Sequence, residues 1–180
     1  FVAKNEEFVG MVKDFAKQVI AENRTDVEAL LASSIEGATV KDILTEKIAK
    51  IGENMNLRRF ARFDGNVVGY IHMGGRIGVM VNVECADFSE EAKEAARDVA
   101  MHIAAMNPAY LDVESVPAED VEKEKHFILA QMKEDPKNAN KPENILEKMV
   151  EGKIGKFFEE SCLLQQKFVK DDKISVEKFE

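Results

Sequence analysis

The chain has 180 residues, 45% hydrophobic and 33% charged, with a formal net charge of −9, which suits one medium domain or two small ones of roughly 100 to 200 residues each. The acidic balance argues against a protein that tracks nucleic-acid phosphates, since that needs clustered Lys and Arg, and no apolar run approaches the roughly 18 residues that span a bilayer. Cys85 and Cys162 lie far apart without CxxC or metal-ligand spacing, a usage that fits a reducing, cytoplasmic compartment.

The chain opens on Phe1 rather than an initiator Met, which reads as a fragment or a processed product. From Glu6 onward, Phe8, Met11, Val12, Phe15 and Val19 lay one apolar stripe along a helix of about four turns. Thr25 and Glu28 have capping-box spacing before a second, shorter helix. A third starts near Thr39, with Asp42 reaching back to it, buries Val40, Ile43, Leu44, Ile48 and Ile51, and ends at Gly52. The period then changes: Leu57–Phe63 reads as a strand, Asp64-Gly65 as a tight turn, Asn66–Met73 as a second strand, Gly74-Gly75 as another turn, and Arg76–Glu84 as a third strand. Ile77, Val79, Val81 and Val83 alternate onto one face, giving a three-stranded antiparallel meander with one packed side. A helix from about Ser89 follows, with Ala92, Ala95, Ala96, Val99 and Ile103 as its apolar face.

Beyond Asn107-Pro108 the composition shifts to long charged helices. Val121, Ile128, Leu129 and Met132 stripe one, and Leu146, Met149, Val150, Ile154, Phe157 and Phe158 stripe another, with DPKNANKP as the polar turn between them. The pair reads as an antiparallel helical hairpin. The tail from Phe168 reads as a linker entering a short helix. Aligning EEFVGMVKDFAKQVIAEN from Glu6 with EEAKEAARDVAMHIAAMN from Glu90 matches six of eighteen positions without a gap, an internal repeat in which each helix would follow a strand meander.

No catalytic constellation emerges: there is no phosphate-cradling glycine loop, no G-x-S-x-G elbow and no H-E-x-x-H. His102 flanks an apolar helix face and reads as packing or, alternatively, as a ligand or acid–base group. His72, beside Gly74-Gly75, reads as exposed, in a contact or a turn role. The carboxylates of AEDVEKEK read as a solvated face.

Five blocks carry a resemblance: FVAKN at the start, KIGENMNLRR from Lys50, HMGGRIGVMV from His72, DVAMHIAAMNP from Asp98 and ILEKMVEGKIGKFF from Ile145. In this order they resemble elongation factor Ts, bacterial or organellar. The resemblance implies an α+β fold of two related subdomains, each a three-stranded antiparallel sheet with helices, the first incomplete in this chain, and an inserted coiled-coil hairpin. It divides the chain into a helical part of the N-subdomain (1–54), a C-subdomain (55–115), the hairpin (116–164) and a return segment (165–180), without the family's N-terminal helical domain and C-terminal end. It also implies a guanine-nucleotide exchange factor for the GTPase elongation factor Tu, with no catalytic motif or cofactor of its own and no direct contact with nucleic acid or membrane. The location expected is the cytoplasm, or the organellar matrix in a eukaryote. Phe1 matches the aromatic of the family's Thr-Asp-Phe-Val-Ala-Lys, the wedge that enters the GTPase beside its nucleotide and magnesium site. Val2, Ile51, Gly52, Glu53, Asn54, His72 and Arg76 fall at further contact positions, although Ile51 and Gly52 also suit a helix end and Arg76 a turn flank. The hairpin is the expected element of a homodimer. Without the resemblance, the chain reads as a generic α+β interaction module that self-associates through its hairpin.

Overall fold

The computed structural model describes residues 2–138 and 140–179. The fold is mixed α+β, and the chain divides into two compact units, Phe1–Asp64 and Gly65–Glu180.

In the first unit, a one-turn 3-10 helix at Val2–Lys4 leads into α1, Glu6–Ala21. The Asn5 side chain accepts hydrogen bonds from the Glu7 and Phe8 amides at 2.9 and 3.2 Å, while Glu6 and Glu7 face the positive end of the helix dipole. Met11, Phe15 and Val19, four residues apart, bury the stripe against Leu30 and Val40. Helix α2, Val27–Ala32, is capped by Asp26, which accepts from the Ala29 amide at 2.8 Å; the cap expected at Thr25 lies one residue later because a carboxylate is the stronger acceptor. Strands β1, Ser34–Ile35, and β2, Ala38–Thr39, form a small hairpin through Glu36-Gly37, both at positive φ, as a two-residue type I′ connection requires. Helix α3, Val40–Ile51, starts at Thr39, whose hydroxyl accepts from the Asp42 amide at 3.1 Å and donates to the Asp42 carboxylate at 2.6 Å.

Leu57–Phe63 is not a strand, so the expected three-stranded meander has two strands. Leu57 and Phe60, three residues apart, pack onto the α1–α3 core, and that spacing serves a chain lying across a cluster rather than a pleat. Arg62 adds hydrogen bonds to Asn23 and to Asp64. The Asp64-Gly65 turn therefore opens β3 and closes no hairpin.

In the second unit, β3, Asn66–His72, pairs antiparallel with β4, Ile77–Val83, in register Val68↔Val81 and Tyr70↔Val79. Val68 faces inward with Ile77, Val79, Val81 and Val83 half-buried, and helix α4, Glu90–Met106, packs against both strands. Ser89 caps it by accepting from the Ala92 amide at 3.2 Å. Ala96 and Ala100 are buried, and alanines permit close helix–sheet approach. The sequence repeat has a counterpart in the backbone: α1 and α4 both begin with paired glutamates, and the matched Asn23 and Asn107 both take left-handed conformations, φ 53° and 46°, that close their helices.

Helices α5, Ala118–Glu134, and α6, Glu143–Ser161, bury Ile128, Met132, Leu146, Val150 and Ile154 between them, the stripes read from the sequence. Asn138 donates from its side chain to the Met132 carbonyl at 2.9 Å, satisfying an orphan at the end of α5. The tail is more than a linker. Strands β5, Lys167–Phe168, and β6, Asp171–Ser175, form a hairpin followed by α7, Val176–Phe179. Phe168, Val176 and Leu163 pack with Val99 of α4, and His102 is fully buried beside them, its ring stacked on that of Phe168.

Candidate partner-binding site

The sequence-derived contact residues lie in both units. In the first, Phe1 falls outside the described residues. Val2 is half-buried in the 3-10 turn, whose Val2 carbonyl accepts from the Asn5 amide at 2.8 Å, so the turn runs directly into the cap of α1. Glu7, in the first turn of α1, receives Lys50 Nζ at 2.6 Å and Lys47 Nζ at 3.2 Å from the last turns of α3. The hydrogen bond from Lys50, then that from Lys47, holds the Glu7 carboxyl below the usual carboxylate range, and Glu7 in turn raises Lys50. An acid at a helix start and lysines at a helix end each suit the local dipole, so the three charges join two favourable termini. They bring the end of α1 that follows Val2 beside the end of α3 that carries Ile51, Gly52, Glu53 and Asn54.

Ile51 is half-buried, and Gly52, Glu53 and Asn54 are exposed. Gly52 has φ 78° and donates its amide to the Ile48 carbonyl at 2.9 Å, a left-handed helix stop that glycine takes without steric cost. A side chain there would meet nothing within 4 Å. The glycine is thus explained by backbone conformation, and the surface in front of it is open.

In the second unit, His72 and Arg76 bracket the β3–β4 connection. Met73, Gly74 and Gly75 all have positive φ, 50°, 66° and 93°, which turns the chain sharply and leaves Arg76 exposed. His72 differs from the sequence expectation: it is half-buried, not exposed, because it lies an even number of residues from Val68 and shares that inward face. Its Nδ1 is hydrogen-bonded to the Tyr70 hydroxyl at 2.9 Å, with the two rings 5.7 Å apart. Next to it, the outward face carries Ile71, Met73 and Met80, which are 69%, 60% and 43% exposed, with glycines opposite in register at Gly69↔Met80 and Ile71↔Gly78. The alternation that turns Val68 and Val81 inward sends Ile71 and Met80 to the other side.

The arrangement offers contact surface and few groups for chemistry. Among the described residues no cluster of His, Cys, Asp or Glu could hold a metal ion, and no helix is long and apolar enough to cross a membrane. Glu53 and Asn54 are solvent-facing polar groups beside an apolar Ile51; at the β3–β4 connection Met73 and Arg76 are exposed, while exposed Ile71 and Met80 lie on the sheet face opposite His72. Compared with models of known families, residues 1–179 match the one described as Elongation factor TS, a match that runs through both units and every contact position named above.

Proposed function

The chain belongs to the elongation factor Ts family, whose members act in translation elongation by promoting nucleotide exchange on elongation factor Tu, and from that premise we propose that it opens the GTPase with Phe1 as a wedge, supported by Val2 and Ile51–Asn54 from one unit and His72 and Arg76 from the other. The observation that carries this reading is the Glu7–Lys47–Lys50 junction, which ties the first turn of α1 to the last turns of α3. An ordered base favours a wedge, because an aromatic on a loose segment loses part of its binding energy to ordering entropy.

The mechanism is differential binding. A factor that binds the nucleotide-free GTPase more tightly than the nucleotide-bound form weakens nucleotide binding by the same ratio. Burial of one Phe is worth roughly 1.5 to 3 kcal/mol, a shift of about 10- to 100-fold. The remaining contacts hold the partner open. Calorimetric titration of GDP into elongation factor Tu, with and without saturating amounts of this chain, tests the reading. GDP affinity should fall, and GDP should lower the affinity for the chain by the same factor. Independent binding of the two would overturn it.

The hairpin α5–α6 is the second contact element, a self-association surface for a homodimer. Phe127 and Ile145 support this, being 56% and 41% exposed on helices whose seam is already filled. Sedimentation of wild type against Phe127→Glu reads it out: the variant should sediment as the smaller species.

A further inference from the structure

Both ring nitrogens of the buried His102 are engaged. Nδ1 lies 3.1 Å from the Val169 backbone nitrogen, an obligate donor, so Nδ1 is the acceptor. The ring proton is then on Nε2, which donates to Gln166 Oε1 at 2.9 Å, and Gln166 passes the polarity on by donating to the Glu160 carbonyl at 2.8 Å.

The Val169 amide belongs to a turn. Phe168 pairs with Asp171, so Val169 and Lys170 are the two-residue connection of the β5–β6 hairpin. The Phe168 ring stacks on the imidazole with centroids 5.9 Å apart, the Val169 amide donates to it, and Lys170 Nζ reaches Asp98 Oδ1 at 2.6 Å. Asp98 and His102 are four residues apart on one face of α4, and together they hold three successive residues of the turn.

We propose that His102 is a proton-sensitive latch: while neutral it holds the β5–β6 turn, and α7 behind it, on α4, and its protonation releases that segment. A second ring proton has only Nδ1 to occupy, where it meets the Val169 N–H, donor against donor. It also places a charge where water is excluded. No charged side chain bonds either ring nitrogen; those carried by the elements packed here include Asp98 on α4, Glu160 on α6, Lys167, Lys170 and Asp171 on β5–β6, and Glu177 and Lys178 on α7. On α4, Asp98 is committed to Lys170 of the hairpin. At the end of α6, Glu160 presents its carbonyl, while its carboxylate lies 3.6 Å from Lys156. Release would uncover the apolar cluster of Val99, Leu163, Phe168 and Val176, so the latch couples one proton to a whole element.

Amide hydrogen exchange on the intact chain tests the latch, with the intrinsic pH dependence of exchange removed. Between about pH 7.5 and 5.5, protection of the Val169 and Val176 amides should fall by up to about tenfold per pH unit, the slope of an opening linked to one proton. Ile128 and Val150 in the α5–α6 seam serve as controls and should not change. His102→Asn, which keeps an acceptor for Val169 but takes no proton, should hold the segment with no pH dependence. Ring nitrogen shifts of wild-type His102 decide the matter if that variant fails to fold, because the latch requires the Nε2–H tautomer near neutral pH. The opposite tautomer, pH-independent protection in the wild type, or equal acid loss in a folded His102→Asn chain would each overturn the proposal.

Discussion

Phe15→Ala perturbs the core on which the α1–α3 junction rests. Phe15 is 6% exposed and packs with Met11, Val19, Leu30 and Val40. Truncating a buried Phe to Ala costs roughly 3 to 5 kcal/mol, a transfer term plus a term for the cavity left behind. Phe15 also lines a surface groove with Gly10, Met11, Ile35 and Ile43, so the vacated space opens toward solvent and water enters it. That places the loss at the lower end, about 3 kcal/mol, a factor of roughly 100 in the opening equilibrium. Amide exchange at Leu30 and Val40 reads the effect directly, since both lie in the same cluster, and chemical denaturation of the whole chain checks its size. Val12→Ala is the control on the same helix: Val12 is 46% exposed, and its truncation should cost within about 0.5 kcal/mol. A Phe15→Ala loss below about 1 kcal/mol, or one no larger than that of Val12→Ala, would refute the assignment of this stripe as the core.

Ile154→Ala, in the α5–α6 seam, should lower amide protection in those two helices by roughly 2 to 5 kcal/mol while leaving α1–α3 unchanged; transmission of the loss to Leu30 or Val40 would show that the seam is not a core of its own. Gly52→Ala should destabilise the first unit by about 1 to 2 kcal/mol, the cost of a left-handed alanine, as measured by denaturant midpoint, because space is free but the conformation is not. Glu7 is held ionised by Lys50 and Lys47, so its contribution is complete above the usual Glu range and is lost as the pH falls through its lowered value. Glu7→Gln should therefore flatten the acid limb of melting temperature against pH, and an unchanged limb would contradict the junction.

Where the sequence carries a strong local signal, the structure follows it. The stripe of Met11, Phe15 and Val19, the cap at Thr39, the stop at Gly52 and the seam of Ile128, Met132, Leu146, Val150 and Ile154 each depend on side chains a few residues apart, which spacing alone reveals. Leu57–Phe63 misleads because Leu57 and Phe60 answer to a distant cluster rather than to a neighbouring strand, a tertiary preference that overrides local pattern. The β5–β6 hairpin is hidden for a similar reason: KFVKDDKIS is short and mostly charged, and its docking depends on His102, 67 residues before Val169. At the candidate site, glycines and helix ends were legible as such, whereas the inward turn of His72 and the exposure of Ile71 and Met80 needed the strand register. The joining of Glu7 to Lys47 and Lys50 spans about forty residues and has no local signature.

If Phe1 works on the partner and not on its own fold, Phe1→Ala in the intact chain should change the release of labelled GDP from elongation factor Tu and leave stability alone. Release should be slowed by about 10- to 100-fold, the worth of one buried Phe, with a melting temperature close to that of the wild type, while Phe15→Ala is destabilised. A Phe1→Ala protein that unfolds, or one that stays folded and releases GDP at the wild-type rate, would contradict it.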